Sequence, residues 1–183
     1  MGVPNLKDKN VATFSSWRFR SLVEVCYKPR LGMPGVKDRD REEVITRTCT
    51  AAVLTSLHPR TAVTINIQEM QDGGCLVATS INAACLALLD ASVPLSFLLA
   101  AVTVAVTKDG ELLVDPTLKQ ARNSSAEAMF VFSSREEGAV SSVIDGKLGH
   151  DQLQQALTAA RLASKAIFEF YRETIRRKFS KEI

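Results

Sequence analysis

Positive charge is missing from the middle of this chain: no Lys or Arg occurs between Thr61 and Thr107. Such a desert excludes a solvated, cation-studded surface there, and it marks the hydrophobic core. Cysteine is sparse as well. Cys26, Cys49, Cys75 and Cys85 form no C-x-x-C pair, which excludes a zinc ribbon or a disulfide framework. All four lie in apolar segments and are expected to be small buried hydrophobes. The two histidines, His58 and His150, stand apart with no partner for a metal. Met1-Gly2-Val3-Pro4 opens no apolar run of the signal-peptide kind, so a reducing compartment is the default expectation. No internal repeat or low-complexity tract interrupts the chain. Its 183 residues, 46% hydrophobic and 23% charged, suit one folded domain with a sizeable core.

What is present is organised around Leu57 to Asp115. Thr61 to Gln68 alternates apolar with polar and is rich in β-branched residues, which predicts a strand. Asp72-Gly73-Gly74 turns the chain. Leu76 to Leu89 is rich in Ala and Leu and predicts a buried helix, which Val93-Pro94 breaks. Phe97 to Val106 reads as a strand buried on both faces, Lys108-Asp109-Gly110 as a hairpin turn, and Glu111 to Val114 as the returning strand. Ile81 to Val106 carries one charge, Asp90, and has the length of a membrane span. Pro94 in its middle and the β-branched residues after Ala101 argue for a buried helix followed by a buried strand instead, so no membrane partner is expected.

Residues 1 to about 16 are patternless. Trp17 to Tyr27 alternates as a strand, and Lys28 to Val36 is a loop by its prolines and glycines. Asp40 is placed to cap a helix, with Glu43 at the capping-box position. Val44, Ile45, Cys49, Ala52, Val53 and Leu57 then recur at helical spacing up to His58-Pro59. Pro116 to Ser125 is a polar connection, and strands follow at Ala126 to Phe132 and Ala139 to Ile144. From Asp151, read as an N-cap, a long helix marks one face with Leu153, Ala156, Leu157, Ala160, Ala163, Ile167, Phe170, Tyr171 and Ile175. The order predicts a mixed α+β domain.

Charge is uneven although the net is only +3: the first sixty residues carry eleven Lys or Arg against six acids. Two places invite chemistry. Glycines leading into a helix leave backbone N–H groups free to hold an anion, but Cys75, Leu76 and Val77 add no cation to Gly73-Gly74. Asp115 at a strand end has no second acid near it in sequence, and a lone Asp before Pro is commonly a turn residue.

Five segments carry a further signal. They are Leu57-His-Pro-Arg-Thr61, Gln71-Asp-Gly-Gly74, Ile81 to Pro94, Asp109 to Pro116, and Phe170-Tyr-Arg-Glu173. In that order they resemble the RNase PH family, from about Leu22 onward. The resemblance implies an RNase PH domain over residues 21–183, a βαβα arrangement related to ribosomal protein S5 domain 2, behind a divergent lead at 1–20. The family's usual N-terminal strands are not recognisable before Leu22, which would leave a sheet edge exposed. Active members trim RNA from its 3′ end with inorganic phosphate. In the eukaryotic exosome, domains of this kind form a ring with cap subunits and thread single-stranded RNA through a channel.

The resemblance also supplies a test of activity. Active members follow the glycine pair with Thr and Arg, and carry a second acid past the one matched by Asp115. Here those positions hold Cys75, Leu76 and Ala121. Gly73, Gly74, Cys75, Leu76, Asp115 and Ala121 are therefore expected to be a vestigial site with no catalytic residue, no metal and no cofactor. The pocket is expected to be electrically empty. Lys37, Arg39 and Arg41 in the loop before the first helix are the candidates for RNA backbone contact, against the plain alternative of a mixed-charge solvated face. The expected role is a non-catalytic ring subunit for RNA processing, rRNA maturation included, in nucleus, nucleolus and cytoplasm. The alternative is a homodimeric, metal-assisted nuclease outside the ring.

Overall fold

A computed structural model describes residues 22–57, 60–136 and 138–180. Strand β1 (Leu22–Lys28) and strand β2 (Ala62–Gln68) pair in parallel, Leu22 opposite Ala62 and Lys28 opposite Gln68. A parallel pair needs a crossover, and helix α1 (Val36–Ala52) supplies it. Strand β1 alternates strictly, with Val23, Val25 and Tyr27 buried against α1 and helix α2 (Leu76–Asp90). Cys26 points the other way and is exposed, because its odd–even position on the strand outweighs its apolarity; the expectation of burial fails for it alone among the four cysteines. Of the strand expected from Trp17, the part before Leu22 lies outside the described residues, as does the 1–20 lead.

A second, antiparallel sheet has the order β4–β3–β5–β6, built from β3 (Leu99–Val106), β4 (Leu112–Val114), β5 (Ala126–Ser133) and β6 (Ala139–Gly146). Every residue of β3 is buried, as a continuous apolar run in a covered sheet requires. On one face Ala101, Met129 and Val131 join the core that α2 and α1 cover. On the other, Val102, Val104, Ala128, Phe130 and Phe132 meet helix α4 (His150–Ser180) at Ala156 and Ala160. Asn82 of α2 clamps the sheet: its amide donates to the Ala101 carbonyl at 2.9 Å and accepts from the Ala101 N–H at 2.8 Å. Tyr171 of α4, fully buried, donates to the Asn82 carbonyl at 3.3 Å and so ties both helices to one point.

Several expectations are corrected. Helix α1 begins at Val36, not Asp40, because the Asp38 carboxylate accepts the Gly35 N–H at 2.9 Å and starts the helix one turn earlier. It also ends at Ala52 rather than Leu57. The chain beyond is captured by the segment after α2: Leu54 N–H donates to the Pro94 carbonyl and Ser96 N–H to the Ala52 carbonyl. His58-Pro59, expected to end the helix, falls outside the described residues. The polar connection after Asp115 contains a short helix, α3 (Leu118–Asn123), started by the capping pair Thr117 and Gln120. Asp151 lies inside α4, which starts at His150. The buried stripe of α4 is narrower than its periodicity suggests, since Leu157 and Phe170 are exposed.

Candidate functional site

The six residues singled out in the sequence converge at the start of α2. Gly73 and Gly74 sit against the chain that leaves β4: Leu118 N–H donates to the Gly73 carbonyl at 2.8 Å. Gly74 (φ +115°) accepts no side chain, for a Cβ there would lie 2.5 Å from the Pro116 carbonyl oxygen. Cys75 (φ 53°) then caps α2 in the left-handed region, and its thiol donates to the same Pro116 carbonyl at 3.3 Å. Burial pushes the Cys75 thiol up to about 12, with the neighbouring Asp115 carboxylate adding to it and Thr103 opposing. At neutral pH the thiol is protonated and is no nucleophile. Asp115 (φ 54°) donates its N–H to the Thr103 carbonyl at the sheet's edge.

These elements enclose a cavity of about 330 Å³ at the N-terminus of α2. Its floor is one face of the four-stranded sheet, in two rows set by strand register. Thr103, Met129 and Val143 form one row, and Glu127 and Asp145 the other. Helix α1 contributes Asp40, Arg41 and Val44; Leu76 and Val77 of α2 and Leu118 and Ala121 of α3 close the walls. Asp72, whose carboxylate accepts the Gly74 N–H at 3.1 Å, completes the rim.

The expectation of an electrically empty pocket is therefore corrected: it is acidic. Among the described residues, Asp40, Asp72, Glu127 and Asp145 line it against a single lining cation, Arg41, which donates to Asp38 at 3.1 Å. Burial first, then Asp145 and Asp72, pushes the Glu127 carboxyl above its ordinary value. Glu127 lies twelve residues past Asp115 along the chain, inside a strand, so nothing local pairs it with the site. The available signal was a charge in an otherwise apolar strand, whose register delivers it beside Asp145. Among the described residues, no three His, Cys, Asp or Glu side chains stand close enough to share a metal ion.

The three RNA candidates lie elsewhere than expected. Lys37, Arg39 and Arg41 belong to the first two turns of α1, not to a loop. Lys37 and Arg41, four residues apart, share a face; Arg39 points away from them. Lys37 and Arg39 are exposed and Arg41 is half-buried at the cavity wall.

The two-part layout, a parallel β1–β2 pair under α1 and α2 followed by an antiparallel sheet backed by α4, is that of the RNase PH domains. Two sequence models of the 3′ exoribonuclease family match: domain 1 over residues 5–94 and domain 2 over residues 98–162. The chain belongs to this family. The domain 1 match starts at residue 5, ahead of the resemblance from about Leu22 onward. An Arabidopsis thaliana protein, the exosome complex exonuclease RRP46 homolog, is 26% identical over 179 residues, covering 88% of this chain and 75% of its own. The Caenorhabditis elegans exosome complex component RRP46 homolog is 33% identical over 140 residues, covering 75% of this chain and 65% of its own. The crystal structure of rice Rrp46 superposes with a TM-score of 0.84 at 28% identity, over 87% of this chain and 75% of that one. Among the described residues no helix is long and apolar enough to cross a membrane.

Proposed function

We propose that this chain is a non-phosphorolytic RNase PH-type subunit of an RNA exosome ring. It would work with other ring subunits, cap subunits and single-stranded RNA in 3′-to-5′ RNA processing and degradation, rRNA maturation included. The observation that carries the reading is the sign of the cavity. Phosphorolysis needs an anionic nucleophile bound beside the RNA phosphodiester, and a site for it supplies cations and oriented N–H donors. Here the N-terminus of α2 is present, but four carboxylates surround it and the one lining arginine is bound to Asp38. At about 4–6 Å such carboxylates repel a phosphate dianion rather than hold it. The similarity to plant and nematode proteins named as exosome constituents supports the ring. The reading includes nucleus, nucleolus and cytoplasm as its places of work.

Exposed Lys37 and Arg39, with Arg41, are the proposed contacts to RNA backbone. The K37A/R39A/R41A variant is expected to crosslink several-fold less to single-stranded RNA, and the slope of log affinity against log salt falls by about 2, near 0.7 per lost contact. Unchanged crosslinking would leave these residues a solvated face. The alternative, a homodimeric magnesium-dependent nuclease, gains the carboxylates of the cavity. It predicts a dimer on size-exclusion chromatography, together with nuclease activity that E127Q abolishes.

A further inference from the structure

On the outer ladder of the antiparallel sheet, Glu127 of β5 stands directly opposite Asp145 of β6. Opposed residues of an antiparallel pair point to the same face, and both of these line the cavity. No hydrogen bond or ion pair links either carboxylate to a cation among the described residues. Other groups around the cavity leave that unchanged. Asp72 approaches from the glycine turn and Asp115 from the end of β4. The Cys75 thiol is neutral, and from α1 come Asp40 and Arg41, the latter held by Asp38. Strand β6 is the weak member of the sheet. Among the described residues it has β5 as its one neighbour, and six of its eight residues are exposed. Such an edge opens locally at small free energy.

We propose that Glu127 and Asp145 form a proton-operated clasp that sets how firmly β6, the outer wall of the cavity, is zipped to β5. With Glu127 protonated the like-charge repulsion is gone and the ladder holds. With Glu127 ionised, directly opposed negative charges loosen the edge strand. The direction in pH follows from linkage. Burial, Asp145 and Asp72 raise Glu127 in the folded state above 4.5. The native protein therefore binds the proton more tightly than the unfolded chain does. This stabilisation is fully present in acid and is lost as pH rises through the raised value. The device does not depend on whether the site turns over RNA.

Amide hydrogen exchange on the full chain tests it, read as protection factors along β6 at about pH 8 and at an acid pH below the titration of Glu127. Glu127→Gln removes the repulsion permanently, so it should raise protection from Val143 to Gly146 about two- to fivefold at the higher pH and leave it unchanged at the lower. Asp145→Asn, at an exposed position, should do the same. The double variant should add nothing to either single one, as coupled partners require. Equal effects at both pH values, additive effects, or no change in β6 would each overturn the clasp.

Discussion

Gly74→Ala is expected to lower the melting temperature by about 10 °C, from a loss of roughly 3–4 kcal/mol at roughly 2–4 °C per kcal/mol for a domain of this size. Two independent effects combine. The residue sits at φ +115°, where an L side chain is strained, and the added Cβ would lie 2.5 Å from the Pro116 carbonyl oxygen and 2.9 Å from the Leu118 nitrogen. Neither atom can yield easily, because Leu118 N–H is bound to the Gly73 carbonyl and Pro116 accepts the Cys75 thiol. Gly73→Ala is the control. A Cβ there meets nothing within 4 Å. Thermal melts of the two variants should therefore differ widely although the residues are adjacent. Equal melts would show that the turn is not sealed against the start of α3.

Tyr171→Ala is the other large effect, expected to cost about 3–5 kcal/mol in denaturant unfolding. Tyr171 is fully buried, edge-on to Phe168 at 6.4 Å between ring centroids, and bonded to the backbone of Asn82. Asn82 in turn clamps Ala101, so the ring joins α4 to both α2 and β3. Truncation leaves a cavity at the meeting point of three elements. Tyr171→Phe keeps the ring and should cost only about 1 kcal/mol, the worth of the hydrogen bond. A Phe variant as unstable as the Ala variant would mean that the hydroxyl, not the packing, holds the helix.

The elements were legible where a single physical signal dominated. The β-branched run at Leu99–Val106 and the Ala/Leu run at Leu76–Asp90 sit where periodicity and composition put them. Boundaries were misread where long-range hydrogen bonds decide. Helix α1 stops at Ala52 because Pro94 and Ser96 capture the next residues, which no local propensity reports. Lys37, Arg39 and Arg41 read as loop by the prolines and glycines before them, yet Asp38, three residues after Gly35, receives its N–H and starts the helix there. The family resemblance located Gly74, Cys75, Asp115 and Ala121 at one place, and the fold brings them there. The sign of the cavity was beyond sequence reading. Asp40, Asp72, Glu127 and Asp145 are spread over more than a hundred residues, and only the register of β5 on β6 and the crossing of α1 unite them.

That sign is what the functional reading rests on, and one assay addresses it. Purified protein is incubated with 3′-labelled single-stranded RNA and inorganic phosphate, and the products are resolved for nucleoside diphosphates. The acid-lined cavity predicts intact RNA and no diphosphate, with phosphate up to millimolar levels making no difference. Phosphate-dependent release of nucleoside diphosphates, lost in a Glu127→Lys or Asp115→Asn variant, would contradict it.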